Sequence, residues 1–420
     1  MNFIKVTSIC VSGGVLRVAF DVSVELEQYF SELRVFEIEY SEDVSAVPES
    51  VLVIPFVCDV LPIVWLTDAT LEIPQLDKEF YESIPKIRQG YVEMSPMLDF
   101  KGAMAVGEII DNHYEPAEET AAFFSGGVDA FATLVAHANE NPKLITLWGA
   151  DVKLDDVAGW NRVKQHVIET SLDFELPVPL FARSNFRTIV NEGALNDLVQ
   201  LSGEAWWYGF QHGIAIIGHA APFSYLNHWK QVYIASTNTI KDKVICASDP
   251  TIDNEVRLVT GGVWHDQYEC TRQQKVQHIV EFCRQTGKHI RLRVCWQSTG
   301  GSNCGHCEKC VRTIYNLLAE GACPTDYGFN FWEAYAQGHS GMVRHVIHEV
   351  LHLRLFWSDI QNRFRETQAW RTDKRINWIY SLDVNNPLTF VVKVKTILWR
   401  RVPLVMRGLH YMKRKLLSQD

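Results

Sequence analysis

Two stretches of this chain carry residue types at spacings that can do chemistry. The first is Cys295-Trp296-Gln297-Ser298-Thr299-Gly300-Gly301-Ser302-Asn303-Cys304-Gly305-His306-Cys307-Glu308-Lys309-Cys310, which sets four thiols as C-x8-C-x2-C-x2-C. Interlocked x2 spacings let neighbouring thiolates converge on one ion. Gly305 relaxes the backbone inside the knuckle, and Cys295 closes the site from the end of an expected strand. Four thiolates with no open position describe structural tetrahedral Zn²⁺. An iron–sulfur cluster and four unmetallated thiols are the alternatives, and His306 is read as a bystander.

The second is Phe123-Phe124-Ser125-Gly126-Gly127-Val128-Asp129-Ala130, where an apolar strand gives way to a helical pattern. Successive glycines let backbone N–H groups point into one concavity, and with a helix N-terminus behind them they form an anion site. Ser125 adds a hydroxyl, and Asp129 can cap the helix or help hold Mg²⁺. Neither the Walker pattern nor Gly-x-Gly-x-x-Gly is present. Ser12-Gly13-Gly14-Val15 repeats the first four letters between two strands without the Asp, and reads as a hairpin turn.

Ser-Gly-Gly-Val-Asp resembles the pyrophosphate-binding loop of the N-type ATP pyrophosphatases. Combined with Cys-x8-Cys-Gly-x-Cys-x-x-Cys-x-Arg, ending at Arg312, it is similar to the 7-cyano-7-deazaguanine synthase branch of that family over roughly residues 118–322. The resemblance implies a HUP-type (adenine nucleotide alpha hydrolase-like) parallel sheet with a zinc knuckle. It implies ATP and Mg²⁺ at Ser125, Gly126, Gly127, Val128 and Asp129. It also implies an enzyme that adenylates a carboxylate, of deazapurine type, releases pyrophosphate and admits ammonia or an amine. The family loop usually ends in Ser or Thr where this chain has Ala130. Divergent relatives serve surface-glycan and phage-defence pathways, some joining a deazaguanine to a protein acceptor. Thiolation of tRNA, with Cys246 as the extra thiol, and a non-enzymatic ATP-binding module are the rival readings.

The elements that must position these groups follow from periodicity. Residues 1–115 read as a β-rich domain, and 111–119 as a linker. The apolar run Val51–Leu66, broken by Pro55, Asp59 and Pro62, reads as buried strands joined by a turn. Residues 116–325 alternate strand and helix. Strands are expected at 121–124, 144–148, 178–182, 231–236 and 290–296, and helices at 129–139, 204–221 and after Thr271 as N-cap. Such alternation argues for an α/β fold with a parallel sheet whose ligands bind beyond the strands' carboxyl ends. That rule puts Trp148-Gly149 near the adenine, with Arg183, Ser236, Thr237 and Asn238 at neighbouring strand ends. Ser248 to Asp253, with His265 and Asp266, falls in the next connection. Arg272 and Lys275 can neutralise phosphate or carboxylate charge and complete, with Ser125 and Asp129, the expected catalytic set. Gln211-His212 is placed near a helix end, and Trp206-Trp207 in the core.

Residues 326–420 read as a helical, basic C-terminal region. The chain has 420 residues and a net charge of −10. Residues 391–420 hold eight Lys and Arg against one Asp, a surplus of seven positive charges, which leaves −17 on the rest. The tail is expected to dock on the acidic body, with an anionic membrane's inner face, or a nucleic acid or protein partner, as the alternatives. The acidic total disfavours nucleic acid as a partner and leaves a homodimer open. No secretory signal or spanning segment is recognised, and six cysteines remain outside the cluster, so the expected location is the cytoplasm.

Overall fold

The computed structural model describes residues 2–242, 244–295, 301–350 and 353–385. Trp296 and the basic stretch 391–420 lie outside the described residues. The chain divides into two compact units. One is Met1–Cys304 with Asp326–Gly328, and the other is Gly305–Thr325 with Phe329–Asp420.

The first unit is built on one mixed sheet. Its strands are β1 (Phe3–Ser12), β2 (Val15–Val22), β3 (Val35–Tyr40), β4 (Thr70–Asp77), β5 (Ala103–Ile110), β6 (Ala117–Phe123), β7 (Lys143–Trp148), β8 (Leu180–Ser184), β9 (Trp229–Ala235), β10 (Arg257–Leu258) and β11 (Gly261–Asp266). They lie in the order β10-β11-β9-β6-β7-β8-β3-β2-β1-β4-β5. β11, β9, β6, β7 and β8 are mutually parallel. The expected parallel α/β sheet is therefore present. β6 sits at its switch point, with one following strand on each side.

Residues 1–115 do not form a sheet of their own. β3 pairs antiparallel with β8, with Ile38 opposite Ser184 and Tyr40 opposite Ala182, so the N-terminal strands continue the parallel sheet. The Ser12-Gly13-Gly14 turn joins β1 to β2, with Ser12 opposite Val15 and Gly13 at φ +57°.

Two expectations are corrected. Val51–Leu66 is helical, as Glu49–Leu52 and Ile54–Leu66, and Ile54 through Trp65 are buried without interruption. An apolar run hidden on all sides has no period to read, so strand and helix look alike in sequence. Pro55 lies in the first turn, where an amide would go unpaired anyway, whereas Pro62 forfeits a bond inside the helix. The fifth parallel strand is β11, not 290–296. Residues 290–295 carry no strand pairing, although Leu292 N donates to Tyr327 O (3.0 Å) and Arg293 N to Gly126 O (2.7 Å). His265 and Asp266, expected in a connection, are the last two residues of β11. Gly261 is required there, because a Cβ would lie 2.6 Å from Trp229 O.

The Thr271 cap is as expected. Thr271 Oγ1 accepts from Gln274 N and Gln274 Oε1 from Thr271 N, a capping box that opens helix Arg272–Thr286.

In the second unit, helices Glu308–Ala319, Trp332–Glu349 and Leu353–Thr367 bury Tyr315, Trp332, Trp357 and Phe364. The unit also holds a forked ion pair, in which Arg363 Nε and Nη2 reach the two Glu320 carboxylate oxygens at 2.9 and 2.7 Å.

Candidate functional site

The glycine loop leaves the carboxyl end of β6 at the switch point of the parallel strands, where open α/β sheets leave a crevice. Phe124 N is still tied to Ile145 O at 2.8 Å. Gly126 then takes φ +76°, and Gly127 serves as the N-cap of helix Val128–Ala136 with no side-chain cap. Ser125 is exposed, and its hydroxyl is a distant acceptor for Gly127 N (3.4 Å). Val128 is buried behind the loop.

The expected charged residues converge on this helix. Arg272 Nη1 lies 2.9 Å from Asp129 Oδ2, and Lys275 Nζ 3.5 Å from Asp129 Oδ1. Lys275 also donates to Ser236 O (2.6 Å) and Ser236 Oγ (2.9 Å) at the end of β9. Ser125 to Asp129, Ser236, Arg272 and Lys275 are thus one contiguous group. Arg272 and Lys275 are almost fully buried, and the Nε and Nη2 of Arg272 find no hydrogen-bond partner among the described residues. Burial pulls the Lys275 pKa below its ordinary value, and the Asp129 charge opposes that shift.

The other strand-end residues are engaged differently. Thr237 is exposed, and Asn238 bonds the Tyr208 hydroxyl. Trp148 stacks on Trp160 (centroids 5.3 Å, 7°) beneath Arg183 (5.4 Å), and its Nε1 donates to Lys153 O (2.8 Å). Arg183 lies 3.8 Å from Glu37 of β3, tying this stack to the added strands. Gly149 has φ +111°, and a Cβ there would sit 2.1 Å from Ser184 O.

Two residues of the site have no signature in the sequence. Arg293 donates through Nε (3.1 Å) and Nη2 (2.8 Å) to Ser125 O, while its amide donates to Gly126 O. His166 backs the loop so closely that a Cβ on Gly126 would lie 2.7 Å from its Nε2. Burial, reinforced by the Arg293 charge, lowers the His166 pKa to about 4, so the imidazole is neutral. Two arginines, Arg291 and Arg293, alternating with apolar residues over 290–295 were the only available signal.

The 248–266 connection closes on itself. Asp253 Oδ2 accepts from Ser248 Oγ (2.6 Å) and lies 2.7 Å from His265 Nδ1, near the carboxyl end of β11. Asp266 pairs with His137 at 3.1 Å. Cys246 lies 3.9 Å from His212 Nε2, but burial pushes its thiol up to about 12. Gln211, buried with Trp206, bridges Trp206 Nε1 (3.0 Å) to Asp59 (2.7 Å).

The four cysteines of the knuckle come together as their spacing implied. The Sγ atoms of Cys295, Cys304, Cys307 and Cys310 all lie within 4.8 Å of one another, and none is in a disulfide. Four sulfurs around zinc at about 2.3 Å are separated by roughly 3.8 Å, so the cluster fits the ion. Cys307 caps helix Glu308–Ala319, its Sγ accepting from Cys310 N at 3.5 Å. Asn303, unremarked in the sequence, accepts from Val294 N (2.9 Å) and Cys295 N (3.3 Å) and donates to Leu292 O (2.7 Å). His306 packs its ring near Tyr335.

Fold and site together define an α/β protein with a large, mostly parallel sheet and a four-cysteine cluster suited to zinc. No protein-family model, curated protein or solved structure matches the chain. Among the described residues, no helix is long and apolar enough to cross a membrane.

Proposed function

We propose that this chain is an ATP-dependent adenylating enzyme of the N-type ATP pyrophosphatase kind, similar to 7-cyano-7-deazaguanine synthase. The observation that carries the reading is the convergence of Arg272, Lys275 and Asp129 on a Ser-Gly-Gly loop at the sheet's switch point. A buried guanidinium with two unmatched donors is costly unless an anion uses them. In this reading the loop amides and the two cations take the phosphates of ATP. A substrate carboxylate oxygen attacks the α-phosphorus and the bond to the β-phosphate oxygen breaks, so pyrophosphate leaves. Ammonia or an amine then displaces AMP from the acyl carbon. Fixed donors aimed at developing phosphate charge are the protein's main contribution. Mg²⁺ would supply further charge neutralisation on the phosphates, with Asp129 as the side chain nearest to hand. Zinc at the four cysteines is structural.

The substrate class follows from the resemblance: a deazapurine carboxylate, or a larger acceptor such as a protein. A thiolation chemistry at Cys246 is disfavoured, because burial keeps that thiol protonated at neutral pH. The test is incubation of the full chain with ATP, Mg²⁺, ammonia and a panel of carboxylates, deazapurine acids included. AMP and pyrophosphate in equal amounts support the reading. ADP and phosphate, or ATP binding without turnover on any acceptor, would overturn it.

A further inference from the structure

The anion loop has no capping side chain of its own, so something else must hold its peptides in register. In a trans peptide the C=O and the N–H of one plane point in opposite directions. Arg293 takes hold of two successive carbonyls. Its guanidinium donates twice to Ser125 O, and its own amide donates to Gly126 O at 2.7 Å. The N–H groups of the same two planes, Gly126 N and Gly127 N, are thereby turned away from Arg293. Gly126 at φ +76° makes this possible, because successive amides converge when one residue is left-handed. On the far side Gly127 N donates to the Ser125 hydroxyl at 3.4 Å, a contact long enough to be exchanged for a better acceptor. Independently, the buried Arg272 beside Asp129 keeps Nε and Nη2 without partners among the described residues, which points to an anion at this place.

Arg293 is itself held. Asn303 bonds Leu292 O on one side of it and the Val294 and Cys295 amides on the other. The arginine is therefore presented from a stretch pinned at both flanks.

We infer that Arg293 is a positioning residue that holds the Ser125–Gly127 loop in its anion-accepting conformation. The inference rests on the nucleotide reading above. It assigns Arg293 a geometric role, in which the fork acts through the loop peptides and not as a phosphate ligand.

Calorimetric titration of inorganic pyrophosphate and ATP into the full chain, wild type, R293A and R293K, tests it. Losing a forked, charge-assisted pair is expected to weaken pyrophosphate binding about tenfold to a hundredfold in R293A. R293K keeps the charge without the fork and is expected to fall with R293A. Methylguanidinium should restore binding to R293A, and methylamine should not. Wild-type affinity in R293A, or in R293K, overturns the inference while leaving the nucleotide reading intact. Absence of binding to the wild type overturns both. If R293A does not fold, R293K and its failure to bind at unchanged zinc content and melting temperature carry the same decision.

Discussion

Gly126 gives the sharpest test of the loop's geometry. Replacing it with Ala places an L-residue at φ +76°, which costs about 1–2 kcal/mol. The new Cβ would also lie 2.7 Å from His166 Nε2 and 2.8 Å from its Cδ2. The ring must move by several tenths of an ångström, yet it packs near Phe131 (centroids 6.1 Å) and is largely buried. Overpacking of this kind adds about 1–3 kcal/mol. The total is roughly 2–5 kcal/mol, or a fall in Tm of about 4–10 °C at roughly 2 °C per kcal/mol for a unit of this size. The two costs separate in a double-mutant cycle. H166A removes the clash but not the backbone strain, so G126A/H166A should show a favourable coupling of about 1–3 kcal/mol. His166 is neutral at pH 7, so deleting it removes volume and no charge. Thermal melts of the four proteins, followed by circular dichroism, give the numbers. An unchanged Tm in G126A, or simple additivity in the cycle, would refute the placement of His166 behind the loop.

Three further outcomes are expected. Burial raises the Asp59 pKa to about 8 against an unfolded value near 3.9, so the fold favours the protonated acid. Its contribution is complete below the unfolded value and is lost as pH climbs through 8, at up to about 1.4 kcal/mol per pH unit. Subtracting the urea stability of D59N from that of wild type across this range isolates the effect, and parallel curves would contradict it. D129N leaves Arg272 and Lys275 buried without their carboxylate, and breaking such a pair costs about 3–5 kcal/mol. Pyrophosphate should recover more Tm in D129N than in wild type, and equal recovery would remove the anion from this place. Metal analysis of the purified chain should find zinc at the four cysteines, with C310S losing it and melting lower. Iron with acid-labile sulfide would replace the zinc assignment.

What could be read in advance was what neighbours in sequence decide among themselves. The Cys304–Cys310 knuckle, the Thr271 cap and the Ser-Gly-Gly transition from β6 into a helix each involve residues only a few positions apart. What could not be read depended on distant partners. Arg293 meets Ser125 across 168 positions, and Gln211 meets Asp59 across 152. Nothing near either residue announces the contact. The Val51–Leu66 helix was hidden by its own completeness of burial, since amphipathic period is the signal and it has none. β11 was missed because it opens on Gly261-Gly262, a pair that looks like a turn, although Gly261 is needed for close approach to Trp229. The fusion of β3 to β8 rests on three register pairs between strands more than 140 residues apart.

That seam bears on how the chain acquires its fold during synthesis. The first 115 residues leave the ribosome with an open strand edge at β3 and a helix, Ile54–Leu66, that packs on Cys58's distant neighbour Gly218. Neither can be covered until β8 and helix His212–Gly218 have been made. Long-range closure of this kind is slow, and nascent apolar surface waiting for it is prone to aggregate. The N-terminal segment expressed alone should therefore be insoluble. By the order of translation, the apolar surface of the first 115 residues waits for β8 and helix His212–Gly218, which are made later.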